Sequence, residues 1–284
     1  MATTYELKEI EVTITLDVDG ANNQYVFNGV ATNVAISKPG GTEFSTAQVE
    51  IYGLSLETMS QLTWLSFQPL GRRYNLMQIA AGEQGKELSV IFQGDITVAY
   101  ADLNGSSPVL RIEAQTASYP LLNPTPQVAI QGEQNVDQLL LTFASDANLT
   151  YRNEGVRASI SDCVLTGSPV EKMRQIADHI GADIIFDDDK AVLVPRRKTR
   201  AAEGSIPVVS AESGMIGYPT FTNTGIQAST FFRPDLKIAS AVRIESIVPR
   251  ASGVWKITQL THELSAHNPG SSAWRTTFQG MWLE

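Results

Sequence analysis

Ile10, Val12, Ile14, Leu16 and Val18 alternate with Glu9, Glu11, Thr13, Thr15 and Asp17. A period of two places apolar side chains on one face of a strand and polar ones on the other, so this segment reads as half-buried β-structure. Asp19-Gly20 supplies a turn after it. The same reading covers Val30 to Ile36, Ala47 to Tyr52, Tyr74 to Ala80, Leu88 to Phe92, Ile96 to Tyr100 and Leu110 to Ala114. Pro39-Gly40-Gly41, Gly82 to Gly85 and Asn104-Gly105 separate these strands. Residues 1–116 are therefore expected to form an antiparallel meander or barrel. One helix interrupts it: Ser55 can cap Leu56 to Leu62, with Glu57 near the positive end of the helix dipole.

Between residues 117 and 200 the period changes to alternating helix and strand. Pro120, Pro124 and Pro126 mark the entry and the basic stretch from Arg196 to Arg200 marks the exit. A faint repeat lies inside. Asn135 corresponds to Ser168 as a helix cap, Leu140 to Met173, Phe143 to Ile176, Ala144 to Ala177, and Asn148 to Gly181 as a left-handed stop. Ser168, Pro169 and Glu171 read as a capping box with Pro at the first helical position. Each helix leads into a strand, Leu149 to Asn153 and Asp183 to Phe186. From Val208 to Trp282 the period of two returns, which predicts a second antiparallel unit in residues 201–284.

That third segment carries Gly214, Ile216, Gly217, Pro219, Gly225, Phe232, Pro234, Ile244, Gly253, Trp255, Ile257, Leu260, His262, Trp274 and Thr276. In this order they resemble the closing barrel of phage tail hub proteins. The sequence departs from that family's pattern where Lys237-Ile238-Ala239 stands in place of a Gly. The run from Val49 to Ser55, followed by its helix, is similar to the family's first tube-like barrel. The resemblance implies a mainly β fold: two tube-like antiparallel β-barrels, 1–116 and 201–284, flanking a small α/β domain, 117–200. It also implies a trimeric baseplate hub of a contractile-tailed phage, which joins the sixfold tail tube to the threefold central spike. Three chains would each lend two barrels to a ring of six. The implied partners are the spike, tail tube or tube-initiator proteins and the tape-measure protein, in a virion assembled in the host cytoplasm. DNA would pass through the lumen without specific binding.

Composition changes this picture little. The chain has 284 residues, 43% hydrophobic and 18% charged, enough to bury a core in more than one domain. Net charge is −9 and the pI about 4.9, which argues against a phosphate-neutralising surface and suits a wall past which DNA slides. Cys163 is the lone cysteine, so no disulfide framework is possible and a reducing compartment is expected. The start, Met1 to Glu9, lacks the basic and apolar regions of a signal peptide, and no membrane insertion is expected.

Candidate chemistry is sparse. His262-Glu263 and His267 differ from the zinc-protease spacing by one residue, which places the two imidazoles about 140° apart on a helix or on opposite faces of a strand. His262 is therefore expected to be a hydrogen-bonded barrel residue. Asp187, Asp188 and Asp189 lack the remaining ligands of a calcium loop and read as an acidic hairpin turn. Arg196, Arg197, Lys198 and Arg200 form a basic run that suits a solvated linker or docking on an acidic partner or on phosphate. No catalytic, metal or cofactor residue is assigned, and the chain is not expected to be an enzyme. Two alternatives stay open: a carbohydrate-binding or lytic tail component, since two carboxylates can converge from anywhere in a fold, and the distal tail protein of a non-contractile tail.

Overall fold

The alternation from Ile10 to Leu16 becomes a strand whose apolar side chains are all buried in the computed structural model, which describes residues 7–18, 21–41, 43–63, 75–105, 107–201 and 204–283. The Asp19-Gly20 turn and Tyr74 lie outside the described residues. In chain order the first elements are β1 (Lys8–Val18), β2 (Ala21–Phe27), β3 (Thr32–Pro39), β4 (Thr46–Tyr52), α1 (Leu56–Leu62), β5 (Leu76–Glu83), β6 (Ser89–Asp102) and β7 (Val109–Gln115). Then follow α2 (Ser118–Leu122), β8 (Val128–Asn135), α3 (Val136–Asp146), β9 (Thr150–Asn153), β10 (Ser159–Leu165), α4 (Pro169–Ile180), β11 (Ala182–Asp187) and β12 (Lys190–Pro195). The chain closes with β13 (Val208–Val209), β14 (Met215–Thr222), β15 (Gly225–Phe231), β16 (Ala241–Ile244), β17 (Gly253–Ala266) and β18 (Trp274–Trp282).

Two compact units emerge. One holds residues 1–37, 46–115 and 261–276, and the other holds 38–45, 116–260 and 277–284. In the first, the strand order is β2-β1-β5-β6-β7-β4-β3. This is not a simple meander, because β1 pairs with β5 as well as with β2. The stretches Leu88 to Phe92 and Ile96 to Tyr100, expected as two strands, are one. Ile91 and Thr97 are each extra against their partner strands, and such bulges let one strand bend and continue. Ser55 caps α1 as expected, accepting from the Thr58 amide at 3.1 Å.

In the second unit the repeat is real in three dimensions. Asn135 accepts from the Asp137 amide at 2.8 Å and Ser168 from the Glu171 amide at 3.2 Å, the latter inside a full capping box. Leu140, Phe143 and Ala144 of α3 and Met173, Ile176 and Ala177 of α4 are all buried in one core. Asn148 at φ 54° and Gly181 at φ 68° are the left-handed stops. Pro120, one of the residues expected to mark the entry to this segment, lies in the first turn of the short helix α2, which needs no amide donor there. The β11–β12 hairpin serves two cores by alternation. Ile184, Phe186, Ala191 and Leu193 face the helices, while Ile185, Val192 and Val194 pack with Val242, Ile257 and Phe278.

The remaining strands of this unit run β14-β15-β18-β17, with β16 beside β17 and β13 parallel to β16. Backbones approach closely here: a Cβ on Gly225 would lie 2.0 Å from the Gly280 carbonyl oxygen, and one on Gly40 would lie 2.2 Å from that of Thr258. Only glycine fits at such contacts. No helix among the described residues is long and apolar enough to cross a membrane.

Candidate functional site

The solvent side of the first unit is built by strand register. Asn33 of β3 pairs with Glu50 of β4, Glu50 with Arg111 of β7, and Arg111 with Tyr100 of β6. One row along stand Ala35, Gln48, Glu113 and Val98 in the same order. The alternate residues, Val34, Ile36, Ala47, Val49, Leu110 and Ile112, are buried. Hydrophobic burial thus fixes which side chains form the polar face.

A groove of about 370 Å³ runs along it, reaching Glu263, Ser271 and Ala273. Its polar groups bond one another. Asn33 Nδ2 donates to Glu50 Oε2 at 3.1 Å and the Tyr52 hydroxyl donates to the same oxygen at 2.9 Å. Arg111 donates from Nη1 to Glu50 Oε1, and from Nε to Asp102 Oδ2 at 3.0 Å. Ser265 Oγ and Asn268 Nδ2 both donate to Asn33 Oδ1, at 2.9 and 3.0 Å. Arg275 Nε donates to Glu263 Oε2 at 2.8 Å. Burial pushes the Glu50 carboxyl up, but the bonds from Asn33 and Tyr52 and the Arg111 charge hold it below the ordinary value. A backbone bond from Asn104 and the bond from Arg111 hold Asp102 down as well. Bonding to Asp102, with Glu50 beside it, raises Arg111. Carboxylates outnumber guanidiniums on this face, and both guanidiniums are already bonded.

In the second unit the outward row across the middle of β15 and β18 is polar and uncharged. Ile226, Ala228 and Thr230 of β15 are buried, while Gln227 and Ser229 look outward. Ser229 and Thr277 hydroxyls lie 2.9 Å apart across β15 and β18. Thr220 and Thr222 of the terminal strand β14 continue the row.

His262 is buried within β17, with Nδ1 2.9 Å from Thr276 Oγ1, whereas His267 is exposed beyond the strand end. Glu263 pairs with Arg275. Asp188 and Asp189 do form the hairpin turn, but Asp187 is not a solvated turn residue. It is buried, accepting from Lys38 Nζ at 2.8 Å and from Arg200 Nη1 at 2.7 Å. Lys38 also reaches Asp188 at 3.0 Å. Burial pushes the Asp187 carboxyl up, and the two cations override it and hold it well below the carboxylate range. Burial likewise opposes the Lys38 ammonium, and the Asp187 and Asp188 charges raise it above the ordinary lysine value. The basic run therefore divides: Arg197 and Lys198 are exposed, Arg196 pairs with Asp183 at 3.3 Å, and Arg200 is internal. Neither a linker nor a docking site describes Arg200, because a guanidinium is buried only against a fixed carboxylate. Sequence spacing could not disclose Lys38 as its companion. No group of His, Cys, Asp and Glu among the described residues could hold a metal ion.

A family model described as baseplate hub gp41 matches residues 10–270. No curated protein matches the chain by sequence. Among solved structures, the 43 kDa tail protein of prophage MuSo2 from Shewanella oneidensis superposes with a TM-score of 0.64 at 9% identity, over 98% of this chain and 97% of that one. A tail protein from Neisseria meningitidis gives 0.63 at 8% identity, covering 96% of each. A type VI secretion component from Escherichia coli, described as structurally similar to the T4 phage tail proteins gp27 and gp5, gives 0.60 at 8% identity over 89% of this chain and 73% of that one. At such identities the likeness is one of fold.

Proposed function

We propose, because this chain belongs to the baseplate hub gp41 family, that it is a structural baseplate hub: a trimeric adaptor that joins a sixfold tail tube to a threefold spike and lines part of the DNA conduit. Family membership over residues 10–270 carries the reading. Two tube-like barrels per chain, in residues 1–116 and 201–284 around an α/β insertion at 117–200, would let three chains imitate six. The spike, tube or tube-initiator and tape-measure proteins are the partners in this scheme.

The sheet faces supply a physical rationale for the conduit. A passing polyanion is retained when lysine and arginine displace its counterions. Along the Asn33–Glu50–Arg111–Tyr100 row the cation is engaged by carboxylates, and the face of β15 and β18 offers hydroxyls and amides. Facing a lumen, both would let DNA slide. Light scattering on the purified full chain tests the proposal. A mass of three chains is expected, and a stable single chain or a sixfold ring would overturn it. Release of fragments from cell walls by the purified protein would instead favour the lytic alternative.

A further inference from the structure

Asparagine precedes glycine twice in the chain, at Asn28-Gly29 and at Asn104-Gly105. Such a pair can cyclise, because glycine has no Cβ to shield its amide nitrogen and lets the backbone turn that nitrogen onto the asparagine side-chain carbonyl carbon. One pair follows β2 and the other follows β6, and all four residues are exposed. Space does not distinguish them. A Cβ on Gly29 would meet nothing within 4 Å, and one on Gly105 would meet only the Ser107 carbonyl oxygen, at 3.7 Å. Nor does access to water, since Val30 and Ser107, just beyond the two pairs, line the same open hollow of about 550 Å³.

Hydrogen bonding does distinguish them. The Asn104 backbone amide and Nδ2 both donate to Asp102 Oδ1, at 3.0 and 3.1 Å, which closes an Asx turn. The other Asp102 oxygen accepts from Arg111 Nε at 3.0 Å, so the clamp is itself fixed to β7. To meet the Gly105 nitrogen, the Asn104 carboxamide must first leave a charged acceptor. Asn28 has no such tether. The β1–β2 ladder ends at Phe27, and among the described residues neither the Asn28 carboxamide nor the Gly29 amide is hydrogen-bonded.

We propose that Asn28 is a site of spontaneous deamidation and that Asp102 protects Asn104 from the same reaction. The Gly29 nitrogen gives its proton to hydroxide and bonds to Asn28 Cγ. The bond from Cγ to Nδ2 then breaks, and ammonia leaves with a proton taken from water. Water opens the resulting cyclic imide at either carbonyl. Cleavage between Cγ and the ring nitrogen gives aspartate, whereas cleavage between that nitrogen and the backbone carbonyl carbon gives isoaspartate, with the chain rerouted through Cβ. The sum is hydrolysis of an amide to a carboxylate and ammonia, which needs no oxidant and no enzyme. Each event places a new negative charge in the loop between β2 and β3.

The test holds the full chain in warm, mildly alkaline buffer made with heavy-oxygen water and follows both positions by peptide mass spectrometry. Asn28 should convert at least about tenfold faster than Asn104, the factor set by breaking one hydrogen bond to a charged group. Its products should be aspartate and isoaspartate, each carrying a solvent oxygen. In urea strong enough to unfold the chain the two rates should converge, because the unfolded backbone clamps neither side chain. Asp102→Ala should raise the Asn104 rate towards that of Asn28 and leave Asn28 unchanged. Equal rates in the folded protein, or an Asn28 that converts only in urea, would overturn the proposal. A slow Asn104 in folded Asp102→Ala would overturn the protective role of Asp102. Should that variant not fold, the ratio of the two rates in folded and unfolded wild-type chain still decides.

Discussion

Lys38 Nζ lies 2.8 Å from Asp187 Oδ1, joining two residues 149 positions apart in the chain. Both side chains are buried, and Arg200 completes the cluster on the second carboxylate oxygen. Removing the anion would leave two buried cations with Asp188 alone. Asp187→Asn is expected to cost about 3–5 kcal/mol in urea unfolding. Asp189→Asn in the same turn should stay within about 0.5 kcal/mol. Equal effects would show that the turn, and not the ion cluster, matters.

The same cluster sets a pH dependence. Asp187 has a folded pKa below its unfolded value, so its contribution is present above about 4 and fades as pH falls through the folded value. Lys38 has a raised folded pKa, so its contribution is full below about 10.4 and is lost as pH rises through the folded value. Unfolding free energy should be nearly flat between about pH 5 and 9 and decline on both sides. In Asp187→Asn the acid decline should be shallower.

His262 and Thr276 form a buried pair within one unit. Thr276→Val keeps the shape and removes the hydroxyl, leaving an imidazole nitrogen without that partner. A loss of about 1–3 kcal/mol is expected by thermal or urea unfolding. No change would mean that another group takes over the nitrogen.

Ala239 ends the Lys237-Ile238-Ala239 stretch at which the sequence departs from the hub pattern, and it adopts φ 60°. Its amide donates to the Ile257 carbonyl at 2.8 Å and its own carbonyl accepts from the Arg200 amide at 2.9 Å, so the local turn is held from both sides. The left-handed conformation costs an alanine about 1–2 kcal/mol. Glycine would relieve this but lose a buried methyl and gain chain entropy, roughly 0.8 and 0.5–1 kcal/mol. Ala239→Gly is thus expected to be near neutral, whereas β-branched Ala239→Val should destabilise by at least about 2 kcal/mol. A stable Val variant in a melting experiment would contradict this account.

Limited trypsin digestion checks the exit from the α/β segment. Within residues 190–201, cleavage should occur first after Arg197 or Lys198, which are exposed, and not after Arg200, which is buried in its ion pair. Mass spectrometry of the first fragments reads the site. Early cleavage after Arg200 would show that the cluster opens readily.

Sequence alone determined what is decided within a few residues. The caps at Ser55, Asn135 and Ser168, the stops at Asn148 and Gly181, and the alternation that buries Ile10, Val12 and Ile14 are local choices between a backbone group and its nearest side chains. The repeated helices and the hub resemblance were legible for the same reason. Tertiary structure alone decided the rest. Asp187 reads as a surface turn until Lys38 and Arg200 arrive from distant segments, and the row from Asn33 through Glu50 and Arg111 to Tyr100 exists only because four strands align in one register. Residues 261–276 joining the first compact unit follow the same logic. Contacts between remote segments are selected by burial and charge compensation in three dimensions, which leaves no periodic mark along the chain.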